Sequence, residues 1–357
     1  MAHADNRMFG RLSRICSRYA WFVLGFWVLL VGVLNVAVPQ LEHTVAEHSA
    51  PFIPGNIQAA QTLRHMSQQF GVPASSAIGS VLLVNENGIG PADEQVYHQL
   101  VSALRADTDN VAYVLDTYSS LTLRSIALSP DGKAINLVVA ATGDVGSTKA
   151  HTNTVNIRHT LDALSKPDGL QLYYTGPSPT LADLFSSMDF SLLIITGVSV
   201  LLITVVLLAV YRSMITALVP LMTIGVGLGV ARPVVSLLGA HQILTVSNFT
   251  IALMTAMLLG AATDYAIFIL AGYHEGRRNG LPVSEALARA GQKVTGILIA
   301  SMLTIAAAAT AMGFTQLGMF RAAGPPIAIA IVIALAVSTT LPYALLSILG
   351  RRGYIEP

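Results

Sequence analysis

The stretch IALMTAMLLGAATDYAIFIL, residues 251–270, holds twenty residues and a single charge, Asp264. A helix rises about 1.5 Å per residue, so roughly twenty apolar residues cover the ~30 Å hydrocarbon core of a bilayer. The run is longer than a buried helix of a soluble protein usually needs, and it reads as part of a membrane span, Thr245 to Gly272. Outward from it, comparable runs occur at Tyr19 to Val38, Ser191 to Tyr211, Met214 to Leu238, Val294 to Phe314 and Gly324 to Leu349. Six transmembrane helices are predicted. Composition agrees, with 53% hydrophobic and 11% charged residues and a mean hydropathy of +0.63 over 357 residues. Soluble domains carry about 25% charged residues. The net charge of +1 offers nothing to nucleic acid. The single cysteine, Cys16, has no partner for a disulfide and no metal motif around it, so no cofactor is expected.

The basic residues predict the orientation. Arg7, Arg11, Arg14 and Arg18 precede the first span, Arg212 lies between the second and third, and Arg277, Arg278, Arg289 and Lys293 lie between the fourth and fifth. Arg351 and Arg352 follow the sixth, whereas the short loops on the opposite side contain only Arg321. The positive-inside rule then puts both termini in the cytoplasm of a plasma-membrane protein and residues 39–188 outside. The first span is expected to be a retained anchor. Its apolar run exceeds the about 7–15 residues of a signal core, and Pro39-Gln40 supplies no small-x-small cleavage site. Three segments follow: 1–38 with the first helix, 39–188 outside, and 189–357 with five helices and a short tail.

Residues 39–188 read as α+β. Strands are predicted at Ala77 to Val84, Leu121 to Leu128, Ile135 to Ala141 and Leu170 to Tyr174, with helices at Pro91 to Ala106 and Ser147 to Leu164. Pro130-Asp131-Gly132 predicts a tight turn, because proline presets φ and glycine accepts positive φ. Seven histidines outside the spans, from His43 to His241, are scattered without metal-ligand spacing. Gly225, Gly227 and Gly229 form G-x-G-x-G inside a span, a pattern for close helix packing. Neither a Walker motif nor a nucleophile elbow is present, so ATP-driven and enzymatic readings find no support.

Two charges fall within the spans. Arg232 lies near the outer end of the third, from where its long side chain can snorkel to the headgroups. Asp264 cannot reach water that way, and an ionised carboxyl at a helix centre costs about 3 kcal/mol. Burial disfavours the charged form, so a carboxyl loaded with a proton on one side and emptied on the other suits proton coupling. A neutral acid that bonds a neighbouring helix is the alternative. Tyr265 points about 100° around the helix from Asp264 and can offer its hydroxyl to the same polar seam. Gly260 and Ala261 would let a second helix come close. Ser301, Thr304, Ser338, Thr339 and Thr340 are hydrogen-bonding candidates, although such hydroxyls commonly bond their own i−4 carbonyl.

One helix, a large outer domain and five further helices resemble half of a transporter of the RND (resistance-nodulation-division) superfamily, and the residues resemble its MmpL family. The resemblance rests on Tyr174-Thr175-Gly176-Pro177, Leu181-Ala182-Asp183, Ala231-Arg232-Pro233-Val234-Val235 and Gly260 to Phe268 with Thr263-Asp264-Tyr265. It continues through Tyr273-His274-Glu275, Gly324-Pro325, Gly350-Arg351-Arg352-Gly353 and Pro357. Pro233 stands where the family pattern has glycine. The resemblance implies a six-helix RND half with one extracytoplasmic α+β porter-like domain between its first and second helices. Its implied activity is proton-driven export of lipids or lipid-like molecules toward the cell envelope. The implied relay is Asp264 with Tyr265 and Ser301, with Arg232 and Thr304 in support. Full members have two halves, so the implied partners are a second half (another copy or a separate chain), a lipid substrate and a small accessory membrane protein. A non-transporting remnant or membrane scaffold, and an export accessory resembling SecD or SecF, are the competing expectations.

Overall fold

A computed structural model describes residues 2–49, 58–71, 73 and 75–355. Pro357 and the Arg7 side chain lie outside the described residues. Two compact units emerge, one of Met1–His48, Leu192–Thr315 and Met319–Pro357, the other of Ser49–Ser191 and Gln316–Gly318.

The chain opens with α1 (Ala2–Arg18), an amphipathic helix that buries Ser13, Cys16 and Ser17 and leaves Arg11, Arg14 and Arg18 exposed. It packs against α11 and α13, defined below, and burial there pushes the Cys16 thiol up. Next come α2 (Ala20–Ala37), the first span, and α3 (Leu41–His48), which starts just past Pro39.

The second unit then contributes α4 (Gln58–Phe70), β1 (Ile78–Asn85), α5 (Pro91–Ala106), β2 (Val111–Leu115), α6 (Arg124–Ala127), β3 (Ala134–Ala141), α7 (Thr148–Ala163) and β4 (Leu170–Thr175). The strands form one antiparallel sheet in the order β2-β3-β1-β4, with Val81 opposite both Leu137 and Tyr174. Along β1 every second residue is buried, the period a strand shows when one face is covered. Val81, Leu83, Leu137 and Val139 form that face, and Leu100, Leu104, Ile157 and Leu161 of α5 and α7 complete the core.

The predicted strand at Leu121–Leu128 is a turn and the short α6 instead. Its apolar run does not alternate, since Leu121 and Ile126 are exposed while Ala127 is buried. Ser120 accepts from the Leu123 and Arg124 amides, which winds the chain helically. Arg124 then reaches Glu94 and stacks over the Tyr118 ring at 4.2 Å. One edge strand of the sheet is β2, which the sequence reading missed. The Pro130-Asp131-Gly132 turn is present, with Gly132 at φ +70° and the Ser129 amide donating to Ala134 O at 2.8 Å.

A polar cluster ties α5 to the segment after β2. Tyr97 donates to Asp116 at 2.6 Å and Tyr118 to Glu94 at 2.7 Å. The Tyr118 hydroxyl, with the Arg124 guanidinium, holds Glu94 below its ordinary value of 4.5 against burial that pushes it up. A group depressed in the folded state stabilises fully above 4.5, and that contribution is lost as pH falls through the folded value. The gap in protection of the β1 amides between the native chain and Glu94→Gln is therefore expected to narrow below pH 4.5, read by hydrogen exchange. A gap constant across that range would contradict the assignment.

From β4 the chain enters α8 (Pro177–Tyr211), then α9 (Met214–Ala240), α10 (Asn248–Arg278), α11 (Val283–Met312), α12 (Gly318–Ser338) and α13 (Leu341–Arg351). Among the described residues, six helical stretches are long and apolar enough to cross a membrane, α2 with α3 and α12 with α13 each counting as one. The last span is broken where one continuous helix was expected. Pro342 has no N–H for the Ser338 carbonyl and its ring crowds the preceding turn, so it sits in the first turn of a new helix with Thr340 as its N-cap residue. Thr339 and Thr340 donate instead to Leu335 O and Ala336 O at 2.7 and 2.6 Å. Trp27 Nε1 of α2 donates to Thr340 Oγ1 at 3.0 Å, linking the first span to the break.

Close packing relies on glycines. A Cβ at Gly229 would lie 3.1 Å from Val31 of α2, and one at Gly227 would lie 3.2 Å from Leu258 of α10. A Cβ at Gly225 meets nothing within 4 Å, so two of the three G-x-G-x-G glycines serve packing.

Candidate functional site: an acid on the open face of α10

In α10 the buried positions include Leu258, Ala262, Thr263, Tyr265, Ala266, Ile269 and Tyr273, which face the core of the helical unit. Met257, Gly260, Asp264, Phe268 and Ala271 are exposed and recur at three- and four-residue spacing, forming one continuous stripe. Asp264 sits in the middle of this stripe. Among the described residues it makes no hydrogen bond or ion pair. Tyr265 is only 5% exposed and belongs to the core cluster. The two neighbours in sequence therefore occupy opposite environments, as the 100° step of a helix requires.

Alongside, α11 packs on α10 and has an open side of its own. Ser301 and Thr304 are both exposed on it, and the Thr304 hydroxyl is taken by Ala300 O at 2.8 Å. Asp264, Ser301 and Thr304 thus all lie on unpartnered surface of adjacent helices, with no bond joining them. Gly260, one turn from Asp264, has no atom within 4 Å of a Cβ, so a further helix can approach there. A cleft of about 290 Å³ between α8 and α10 borders this stripe, lined by Thr196, Ser199, Leu202 and Gly260.

Arg232 belongs to a separate arrangement. It forms an ion pair with Glu42 of α3 beside a cleft of about 330 Å³ lined also by Asn35 and Gly229. Thr44 and Ser236 hydroxyls meet at 2.7 Å, and Ser236 donates to Pro39 O at 2.6 Å, so three polar links hold α3 and its entry against α9. Sequence reasoning missed Glu42 as the partner; its spacing from Arg232 along the chain carries no signal.

Other motif residues build the opposite end of the bundle. His274 stacks on Tyr211 of α8 with ring centroids 5.5 Å apart, and Lys293 of α11 pairs with Glu275 at 2.7 Å. A Cβ at Gly350 would overlap the Tyr273 hydroxyl. Among the described residues, no group of three His, Cys, Asp or Glu side chains could hold a metal ion.

A family model described as "MMPL family" matches residues 51–357, which include the whole of the α10 stripe. The chain belongs to the MMPL family.

Similar curated proteins agree with that assignment. The MMPL chain is 33% identical over 353 residues to the sulfolipid-1 exporter MmpL8 of Mycobacterium tuberculosis, across 99% of its own length and 32% of the relative's. It is 36% identical over 361 residues to the probable transport protein MmpL10 of Mycobacterium leprae, covering 98% and 35%. To the probable transport protein MmpL12 of Mycobacterium tuberculosis it is 35% identical over 354 residues, covering 98% and 30%. The chain thus spans about a third of the length of the curated relatives it matches. These relatives are named as transport proteins, not enzymes, which agrees with the sequence reading.

Proposed function

We propose that this MMPL chain supplies one half of a proton-driven exporter that moves lipids or lipid-like molecules across the inner membrane toward the cell envelope. In this reading residues 39–188 are an extracytoplasmic porter-like domain between the first and second spans, and residues 189–357 carry five spans and a short tail. Both termini are cytoplasmic, a second RND half completes the unit, and a small accessory membrane protein joins it. The second half is another copy or a separate chain. A lipid substrate is supported by the printed name of one relative, the sulfolipid-1 exporter.

The observation that carries the reading is the exposure of Asp264 at the centre of an unpartnered apolar helix face. An ionised carboxyl turned to acyl chains costs about 3 kcal/mol by insertion scales. Its neutral form loses far less, so Asp264 either holds a proton or is covered by polar groups from another surface. A carboxyl that alternates between those conditions carries a proton. Tyr265, on the core side, then senses the rearrangement through packing, while Ser301 and Thr304 supply hydroxyls on the same open side. Arg232, anchored to Glu42, keeps the outer ends of α3 and α9 together as the spans move.

Reconstitution tests this directly. Proteoliposomes holding the complete assembly are expected to move a fluorescent lipid only under a transmembrane proton gradient, and to stop when a protonophore collapses it. Movement that persists undiminished after collapse would refute proton coupling.

A further inference from the structure

A basic cleft of about 530 Å³ lies between α1 and the start of α11, lined by Arg14, Ser284, Glu285, Arg289 and Gln292. Nothing in the proposed transport cycle uses it. A Cβ at Gly10 would fall 2.5 Å from Gln292 Nε2, so α1 is seated closely against α11 along one edge of the cleft. Arg14 spends its Nε on Gly10 O at 3.1 Å, which orients the guanidinium and leaves its two terminal nitrogens without a bond among the described residues. Arg289 is exposed and makes no hydrogen bond or ion pair among the described residues.

The surrounding charges are not balanced. Lys293 takes up Glu275, Arg277 donates to Leu281 O, and Arg351 donates to Ser17 O. Among the described residues lining the cleft, Arg14 and Arg289 face Glu285 as the one carboxylate, while Glu275, already paired with Lys293, also acts on Arg289 from outside it. Depth decides what such a site meets. The apolar run of α11 starts at Val294, so Gln292 and Arg289 stand about 3 and 7.5 Å beyond it by helical rise. That interval is the polar layer of a bilayer, about 5–7.5 Å thick on each side. A concave, arginine-lined surface at that level is at the depth of lipid phosphates.

We propose that this cleft binds the phosphate of one anionic phospholipid. Arg14 and Arg289 hold the phosphate oxygens from two sides, with Gln292 as a neutral donor. Acyl chains run toward the exposed apolar side of α11, where Ile297 is 70% exposed. Glu285 sets the selectivity by repelling a second negative charge. Its inner-leaflet placement rests on the orientation given under Proposed function, but binding does not need transport, so the two fail separately.

Native mass spectrometry of the purified full chain tests it, with titration by phosphatidylglycerol, by phosphatidylcholine of the same chains, and by glycerol 3-phosphate. One phosphatidylglycerol is expected to bind well ahead of phosphatidylcholine, with glycerol 3-phosphate unable to displace it at similar concentration. About fivefold in affinity is expected per arginine, so the double variant Arg14→Gln/Arg289→Gln should lose about 25-fold. Arg212→Gln, a basic residue outside the cleft, should bind as the native chain does. Glu285→Gln should tighten binding about fivefold, a gain that misfolding does not mimic. Equal affinity for the two lipids, or an unchanged double variant, would overturn the proposal. Displacement by glycerol 3-phosphate at matching concentration would overturn the lipid assignment in favour of a soluble phosphate ester.

Discussion

Replacing Asp264 with asparagine is expected to reduce gradient-driven lipid transport to background while leaving the yield and thermal stability of the chain unchanged. Asparagine keeps the size and hydrogen-bonding reach of the side chain and loses only the proton. Because Asp264 is exposed on α10 and makes no hydrogen bond or ion pair among the described residues, the substitution removes no packing within the chain. Two readings separate on this result. A carboxyl that merely bonds a neighbouring helix is replaced adequately by an amide, so transport would continue. A proton carrier has no substitute in asparagine, and losing an obligatory acid–base group costs about 10²-fold or more. Asp264→Glu, which keeps the proton on a longer arm, is expected to retain part of the activity. Transport by the Asn variant at native rate would eliminate the relay.

The largest effect on stability is expected at Gly324. A Cβ there would overlap Ala309 O, lie 2.7 Å from Met312 Cβ and approach Gly313 N at 2.9 Å. Two of these three neighbours are backbone atoms at the end of α11, which a side-chain rotation cannot clear. Gly324→Ala therefore forces α12 away from α11 at a point where the core is dense, with Ala322, Ala323, Ile327 and Ala330 all buried. Overpacking of this kind costs about 1–3 kcal/mol, and the backbone contacts put this site at the upper end. The measurement is the melting temperature and monodisperse fraction of the detergent-purified variant beside Gly225→Ala. Gly225 has open space around its Cβ and should melt as the native chain does. Equal melting of both variants would contradict the packing account.

Much of the architecture was legible because lipid imposes a crude criterion: length and apolarity. Each apolar run became a helix. The ends were less legible, because α8 starts at Pro177 and α11 at Val283, several turns before their apolar runs. Those extensions are amphipathic or polar, and window hydropathy does not register them. The break between α12 and α13 had its signal in Pro342, but an apolar run on both sides concealed it. In the other unit, Val111–Leu115 is too short and too close to polar residues to stand out. The longer apolar run at Leu121–Leu128 misled because apolarity without alternation does not define a strand. Asp264 was conspicuous as a charge among aliphatic residues, and the small Gly260 one turn away hinted at an open face. The Glu42–Arg232 pair and the contacts of Gly324 and Gly350 link residues far apart in sequence, and only the folded chain brings them together.

If Asp264 carries the proton, a second half must cover the α10 stripe in the working exporter. Single cysteines at Met257 and Phe268 on that stripe, and at Leu29 on the exposed side of α2, can be labelled in native membranes with a lipid-phase maleimide. The native Cys16 is buried and stays quiet as background. Slow labelling at Met257→Cys and Phe268→Cys beside rapid labelling at Leu29→Cys is the result predicted. Equal, rapid labelling at all three positions in membranes that transport would mean that α10 faces lipid throughout, and would contradict the claim.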